Sequence, residues 1–450
     1  MIAPARVAAF EILHALASGR TDLPSAVASA RATLADPRDQ ALAADIATGV
    51  QRWRAALDHL IAAFSKRPLD RLDPEIVDIL RLSAYQLLHL TRVPVSAVVD
   101  DAVDLARRAK KTSASGFVNA VLRSLSRRRA NLPLPPRPPD AHDREAAVAY
   151  LTITLSHPGW LVSRWLTRYG LDATERWLQF DNSAAPLTLR VNPLKTTTDE
   201  LIRRLDDEDV QVSRGRFAPE ALIVDEGAAL RTSAATDGAF LVQDEASQLV
   251  ARLLGNQPGR LVLDACASPG GKTTAIAATM ATGLVIACDL HGRRMDLLRR
   301  TVAATSAANV RLVQADLLQP LPFQAVFDGV LVDAPCSGVG TLRRDPDIRW
   351  RRREEDLPAL AVAQRTMLLH AADGVRAGGR LVYATCSSEP EENDEVVDAF
   401  LRARPEFAPV DARALATVPE EVVDPRGRLR TLPHVHGLEA FFGAVLERRL

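Results

Sequence analysis

Two short stretches most constrain what this chain can fold into: LVDAPCSGVG at residues 331–340 and ATCS at residues 384–387. Each follows a largely apolar run, 327–332 and 380–383, that reads as a buried strand, and then breaks into small residues around a cysteine. In an open parallel sheet, ligands bind in the crevice beyond the carboxyl ends of the strands. Two strands ending in this way direct Asp333, Cys336 and Cys386 into one crevice. A carboxylate and two thiols in one pocket suit nucleophilic chemistry. Thiols that only fill space under a sheet have no need of the Pro, Ser and Gly around these two.

The C-terminal half alternates strand-like and helix-like segments, with strands expected at 261–265, 284–288, 310–313, 327–332, 380–384 and 441–446. That alternation predicts an α/β fold with a doubly wound, Rossmann-like parallel sheet. The first strand runs into DACASPGGKT, residues 264–273. Gly270 and Gly271 let backbone approach a ligand closely, and the helix start beyond them favours acceptor or anionic groups. A triphosphate loop of the form GxxxxGK[ST] needs glycine five positions before Gly271, where Cys266 stands, and no GxGxxG follows the strand. The second strand ends at Asp289, 25 residues after Asp264, where an acid accepts hydrogen bonds from ribose hydroxyls. Asp316 ends the third strand, within reach of an adenine edge. Singly, such acids cap helices; three at successive strand ends point to an adenosine-type ligand.

The front of the chain differs. Apolar residues recur at three- and four-residue intervals through 7–17, 41–50, 76–90 and 96–107, which predicts an all-helical bundle over 1–132. Residues 1–140 hold 20 Lys and Arg against 14 Asp and Glu, a surplus of +6 gathered at 107–111 and 127–129. Such a patch holds phosphates with salt-sensitive, sequence-independent affinity. Five prolines in 133–139 predict a stiff connector, 133–144, and a domain boundary. A small α/β subdomain is expected over 145–240, with a helix at 146–170 carrying the core aromatics Trp160 and Trp165, strands at 187–192 and 221–224, and a helix at 199–205. A helix over 240–254 then leads into the sheet domain, 241–450.

The whole-chain balance, 56 basic against 56 acidic residues, says nothing for or against nucleic acid. No run reaches the roughly 18 apolar residues of a membrane span, and the N-terminus lacks the apolar core of a secretory signal. The four cysteines, Cys266, Cys288, Cys336 and Cys386, have no metal-ligand spacing, so no metal is expected and reduced thiols in a cytoplasmic enzyme are. A monomer is the default.

DACASPGGKT, DAPCSGVG and YATCS, in that order on such a sheet, resemble the S-adenosylmethionine-dependent RNA cytosine-5 methyltransferases of the Nop2/Sun family. The helical front is similar to the antitermination factor NusB, a combination that resembles the bacterial members acting on 16S ribosomal RNA. The resemblance spans nearly the whole chain. It implies methyl transfer from S-adenosyl-L-methionine to carbon 5 of a cytosine through a covalent cysteine–cytosine adduct. Cys386 is then the nucleophile, Cys336 assists removal of the carbon-5 proton and enzyme release, Asp333 hydrogen-bonds the base, and Lys272 positions the reacting groups. Cys266, Ala267, Ser268, Pro269, Gly270, Gly271 and Lys272, with Asp289, Asp316 and Asp333, would hold the cofactor. Arg343, Arg344 and Arg349, with 351–353, would grip phosphates, and Arg190 and Asn192 would add RNA contacts. Ser268 stands where the family usually has Ala, and Glu439-Ala440 where its tail reads Asp-Gly. Two other functions are compatible with the residues: the same chemistry on transfer RNA, and a non-catalytic RNA-binding assembly factor.

Overall fold

The computed structural model describes residues 2–255, 259–280 and 282–450. The chain forms two compact units, Met1–Ser183 with Leu342–Arg352, and Ala184–Thr341 with Arg353–Leu450.

The first unit is helical. Its long helices are Pro4–Ala17, Leu23–Thr33, Pro37–Ser65, Pro74–His89, Val95–Arg108, Ser115–Arg127 and Gly159–Asn182. Asp22 and Asp36 start two of them by accepting the amides of Ser25 and Arg38, with proline inside the first turn. The helices bury one apolar core that includes Leu57, Leu80, Val99 and Leu122. Leu23–Thr33 and Ser115–Arg127 were not foreseen as separate helices.

The proline-rich stretch lies within the first unit. It lies extended against the helices: the ring of His59 donates to the Pro133 carbonyl at 2.9 Å, Thr154 Oγ1 donates to Pro135 O at 2.6 Å, and Leu132 and Leu134 pack on the core. Prolines stiffen a chain without freeing it from a surface, so the division falls after Ser183. Trp165 and Trp177, buried and stacked with centroids 4.2 Å apart, join this unit too.

The second unit holds two sheets. β1 (Thr188–Val191), β2 (Gln211–Arg214), β3 (Ala221–Glu226) and β4 (Phe240–Val242) form an antiparallel sheet in the order β2-β3-β1-β4. β4 stands where the sequence suggested the first turn of a helix; pairing with β1 overrides that, and the helix begins at Glu245. The large sheet comprises β5 (Leu261–Asp264), β6 (Leu284–Asp289), β7 (Val310–Gln314), β8 (Phe327–Asp333), β9 (Val375–Thr385), β10 (Phe407–Val410), β11 (Leu429–Arg430) and β12 (Phe442–Arg448). Its order is β10-β12-β9-β8-β5-β6-β7, with β11 paired to β12. β5 to β9 run parallel, whereas β12 returns antiparallel to β9 and carries β10. The winding reverses at β5, which puts the topological switch point between β5 and β8, where the carboxyl ends open a crevice. One core joins the two sheets through Phe217, Ala221, Leu249 and Val262.

Candidate active site

Five strand ends build the crevice. β5 ends at Asp264, whose side chain is fully buried and accepts Thr273 Oγ1 at 2.6 Å, tying the loop to the first turn of helix Gly271–Ala278. Burial pushes this carboxyl up to about 7. The loop turns at Gly270, φ +107°, where a Cβ would stand 2.9 Å from Leu298 Cδ1; this is a position only glycine fills without strain.

β6 ends at Asp289. It accepts the Ser268 amide at 3.1 Å, the Leu290 amide at 2.9 Å and Arg294 Nε at 2.9 Å, and Arg294 Nη2 donates back to Ser268 O at 2.8 Å. An ionised carboxylate offers about four acceptor positions, so one remains for a hydroxyl. Asp316, beyond β7, accepts the Leu318 amide at 2.9 Å. Ala265, Cys266, Ser268, Lys272, Asp289, Asp316, Asp333, Cys336 and Cys386 all line one cavity of about 400 Å³, with Leu290, Leu317, Met367 and Phe441 as apolar walls.

β8 and β9 lie side by side and bring Asp333, Cys336 and Cys386 to the same side of the crevice as Lys272. Lys272 Nζ donates to Asp333 Oδ2 at 2.7 Å and lies 5.6 Å from the centre of the Phe441 ring. Burial alone would lower this ammonium, but Asp333 outweighs it and holds the group above the ordinary lysine value. The sulfurs of Cys336 and Cys386 are 3.3 Å apart. That hydrogen bond, with burial added, holds the Cys336 thiol well above its usual range. Cys288, on β6 and fully buried in the core, is pushed up to about 12 by burial and is a packing thiol.

Gly340 joins these loops. Its amide donates to Cys386 O at 3.0 Å, its carbonyl accepts the Ala440 amide at 2.9 Å, and a Cβ there would lie 2.8 Å from Cys386 O. The tail is thus held to the site by backbone, which the Glu439-Ala440 departure leaves intact, and Phe441 reaches the crevice wall.

Three of the expected RNA contacts are corrected by burial. Arg190, 4 % exposed, donates to Gln243 Oε1 and Thr274 Oγ1, both at 2.7 Å, and to Gly271 O, so it buttresses the loop and helix start from behind. Asn192, 2 % exposed, donates to Gly238 O and Thr305 O at 2.8 and 3.0 Å. Arg349, 1 % exposed, donates to the carbonyls of Arg52, Ser156 and Asp181 and to Asn182 Oδ1 at 2.8–3.1 Å. Side chains sealed this deeply against protein acceptors are out of reach of a phosphate. Arg343 and Arg344 are half-buried, Arg343 lying 4.3 Å over the Phe180 ring. In the front patch, Arg107, Arg108 and Lys111 pair with Asp104, Glu11 and Asp73, whereas Arg127, Arg128 and Arg129 are exposed. Arg294, Met367 and Phe441 were missed because residues of such ordinary type acquire meaning only from position.

Comparison with known proteins agrees with this architecture. The family model for 16S rRNA methyltransferase RsmB/F matches residues 251–447, that of the NusB family residues 3–127, and an RsmF/B-like ferredoxin-like domain residues 157–231. The chain is 34% identical to a Bacillus subtilis protein named "Probable ribosomal RNA small subunit methyltransferase B", over 90% of each chain. It is 32% identical to ribosomal RNA small subunit methyltransferase B of Pseudomonas putida, over 98% of each. The crystal structure of PH0851 superposes with a TM-score of 0.81 at 27% identity, covering 100% of this chain and 99% of that one. With its NusB-like helices, its small antiparallel sheet and its paired cysteine loops at the strand ends, the chain belongs to the RsmB family of ribosomal RNA small subunit methyltransferases.

Proposed function

We propose that this chain transfers a methyl group from S-adenosylmethionine to carbon 5 of a cytosine in 16S ribosomal RNA, through a covalent bond between Cys386 and carbon 6. The observation that carries this reading is the pair of sulfurs 3.3 Å apart at adjacent strand ends, beside the Lys272–Asp333 ion pair. The names of the relatives supply the ribosomal RNA.

The crevice fits the methyl donor by its donor and acceptor set. Asp289 keeps an acceptor position for a ribose hydroxyl, Asp316 offers one to an adenine amino group, and Leu290 and Leu317 supply apolar walls for a flat ring. When bound, S-adenosylmethionine supplies an electrophilic methyl on a sulfonium.

Carbon 5 of cytosine is a poor nucleophile, and a thiolate added at carbon 6 makes it enamine-like. The Cys386 thiolate, hydrogen-bonded by the Cys336 thiol, is the attacking group. Asp333, fixed by Lys272, hydrogen-bonds the ring nitrogen and amino group as charge develops there. Once the Cys386 sulfur is bonded to carbon 6, Cys336 loses its hydrogen-bond acceptor and releases its proton to solvent. The Cys336 thiolate then takes the proton from methylated carbon 5. The electron pair of that C–H bond re-forms the 5,6 double bond and expels the Cys386 thiolate, restoring the pair. One proton leaves per turnover, which balances conversion of the sulfonium to a thioether. The base must be unpaired or flipped out to reach this crevice. Arg343, Arg344 and the exposed Arg127–Arg129 run are the remaining candidates for the RNA backbone.

The test incubates the chain with tritium-methyl S-adenosylmethionine and either transcribed 16S RNA or bulk transfer RNA. Label in a cytosine of 16S RNA, lost in Cys386→Ala, is the expected result. Labelling by Cys386→Ala overturns the nucleophile assignment, label in transfer RNA alone moves the substrate, and tight binding of unlabelled RNA turns the reading to an assembly factor.

A further inference from the structure

One buried carboxylate holds the residue that follows each cysteine. Glu392 is fully buried, and its Oε1 accepts the Ser337 amide at 2.8 Å and Gln364 Nε2 at 2.9 Å. Its Oε2 accepts the hydroxyls of Ser337 and Ser387, both at 2.5 Å. Those bonds occupy the roughly four acceptor positions of a carboxylate. Gln364 Nε2 also donates to Pro335 O at 3.0 Å, so both neighbours of Cys336 are fastened through this one group.

The two cysteines do not depend on it equally. Cys386 follows β9, which pairs with β8 on one side and β12 on the other. Its own carbonyl is held by Gly340, and the Ser387 carbonyl accepts Asn393 Nδ2 at 2.8 Å. Cys336 lies in a segment, 334–338, that belongs to no strand. Its two chain neighbours, Pro335 and Ser337, are held by Gln364 and Glu392.

We propose that Glu392 is the positioning residue for Cys336, keeping its sulfur beside the reacting carbon while Cys386 is bonded to the base. This rests on the two-cysteine reading above. The step it serves is the second one, in which the carbon-5 proton passes to Cys336 and the Cys386–carbon 6 bond breaks. An amide in place of the carboxylate turns a donor toward donors, which frees the Cys336 loop while β9 still holds Cys386.

The test compares full-length wild type, Cys336→Ala, Cys386→Ala, Glu392→Gln and Ser337→Ala. S-adenosylmethionine affinity is read by calorimetry, methyl transfer to 16S RNA at saturating substrates by label, and trapped enzyme by the share of RNA that runs with protein on a denaturing gel. Glu392→Gln is expected to bind S-adenosylmethionine within about twofold of wild type while its turnover falls about 10- to 100-fold, the cost of misplacing a reacting group by about an ångström. Its trapped share rises toward that of Cys336→Ala, a signature that general loosening of the fold does not produce. Ser337→Ala, which keeps its amide bond to Glu392, moves the same way by about three- to tenfold, as loss of one hydrogen bond predicts, and it carries the test if Glu392→Gln does not fold. Wild-type turnover in both variants, turnover lost with no trapped adduct, or turnover and S-adenosylmethionine affinity falling in parallel would each overturn the proposal alone. A wild type that labels no RNA, or a fully active Cys386→Ala, overturns the two-cysteine reading and this inference with it.

Discussion

The crevice around Lys272 and the nest around Arg349 both bring buried basic groups against acidic ones, yet they are built for opposite ends. In the crevice, Lys272 and Asp333 form one 2.7 Å bond beside a cavity of about 400 Å³, with acceptor capacity left at Asp289. In the helical unit, both Arg349 Nη atoms donate to carbonyls and an amide oxygen, and Asp181 beside it is fully buried. Burial lowers Arg349 to about 9 and raises Asp181 to about 7, so each charge is costly where it stands. Charge beside space can meet a ligand, whereas charge sealed against backbone holds a fold together.

The hardest test of that contrast is removal of each cation. Arg349→Ala leaves the carbonyls of Arg52, Ser156 and Asp181 and Asn182 Oδ1 without this donor and is expected to cost about 3–5 kcal/mol, at about 1–3 kcal/mol for each buried acceptor left bare, read as a lower urea midpoint for loss of helical signal. Unchanged stability would dissolve the distinction. Lys272→Met should leave that midpoint nearly unchanged but lower methyl transfer about 10²–10³-fold, the usual effect of removing one preorganised electrostatic partner; a stability loss as large as that of Arg349→Ala would place Lys272 with the structural cations.

A finer test uses pH. Asp264 has a folded value of about 7 against an ordinary 3.8, so between those values the native state binds more protons than the unfolded state. Stability therefore falls as pH rises through that window and is level above it. Asp264→Asn, with Oδ1 still able to accept Thr273, should melt above wild type at pH 8, and the difference should vanish by about pH 4. Equal melting at both pH values would mean the carboxyl is ionised throughout. The smallest effect is expected on the exposed face of the helical unit. Arg128→Ala should flatten the salt dependence of RNA affinity by somewhat less than one counterion, with the slope in log–log form changing by about 0.7–0.9, and leave turnover at saturation alone.

The crevice was more legible than its surroundings. Asp333, Cys336, Cys386 and the 264–273 loop were readable because strand ends in a parallel sheet point one way, and small residues beside a thiol have few other uses. Glu392 was not: it lies in the acidic run 391–392, which in sequence resembles any solvated helix start, and only the fold turns its side chain inward between two loops. The arginines failed for the complementary reason. Arg190 and Arg349 carry the right charge in the right neighbourhoods, but a guanidinium serves carbonyls as well as phosphates.

By itself, the sequence determined the parallel order of strands and helices, the helical front and the meeting of a carboxylate and two thiols at the strand ends, because these follow from local periodicity and from residue types with narrow uses. The tertiary structure alone decided which basic residues are exposed, where the chain divides, that β12 returns antiparallel, and which carboxylate bonds the serine after each of the two cysteines. Those depend on partners distant in sequence, as Arg349 on Arg52 and Ser337 on Glu392, and burial is a property of the assembled surface that no residue carries alone.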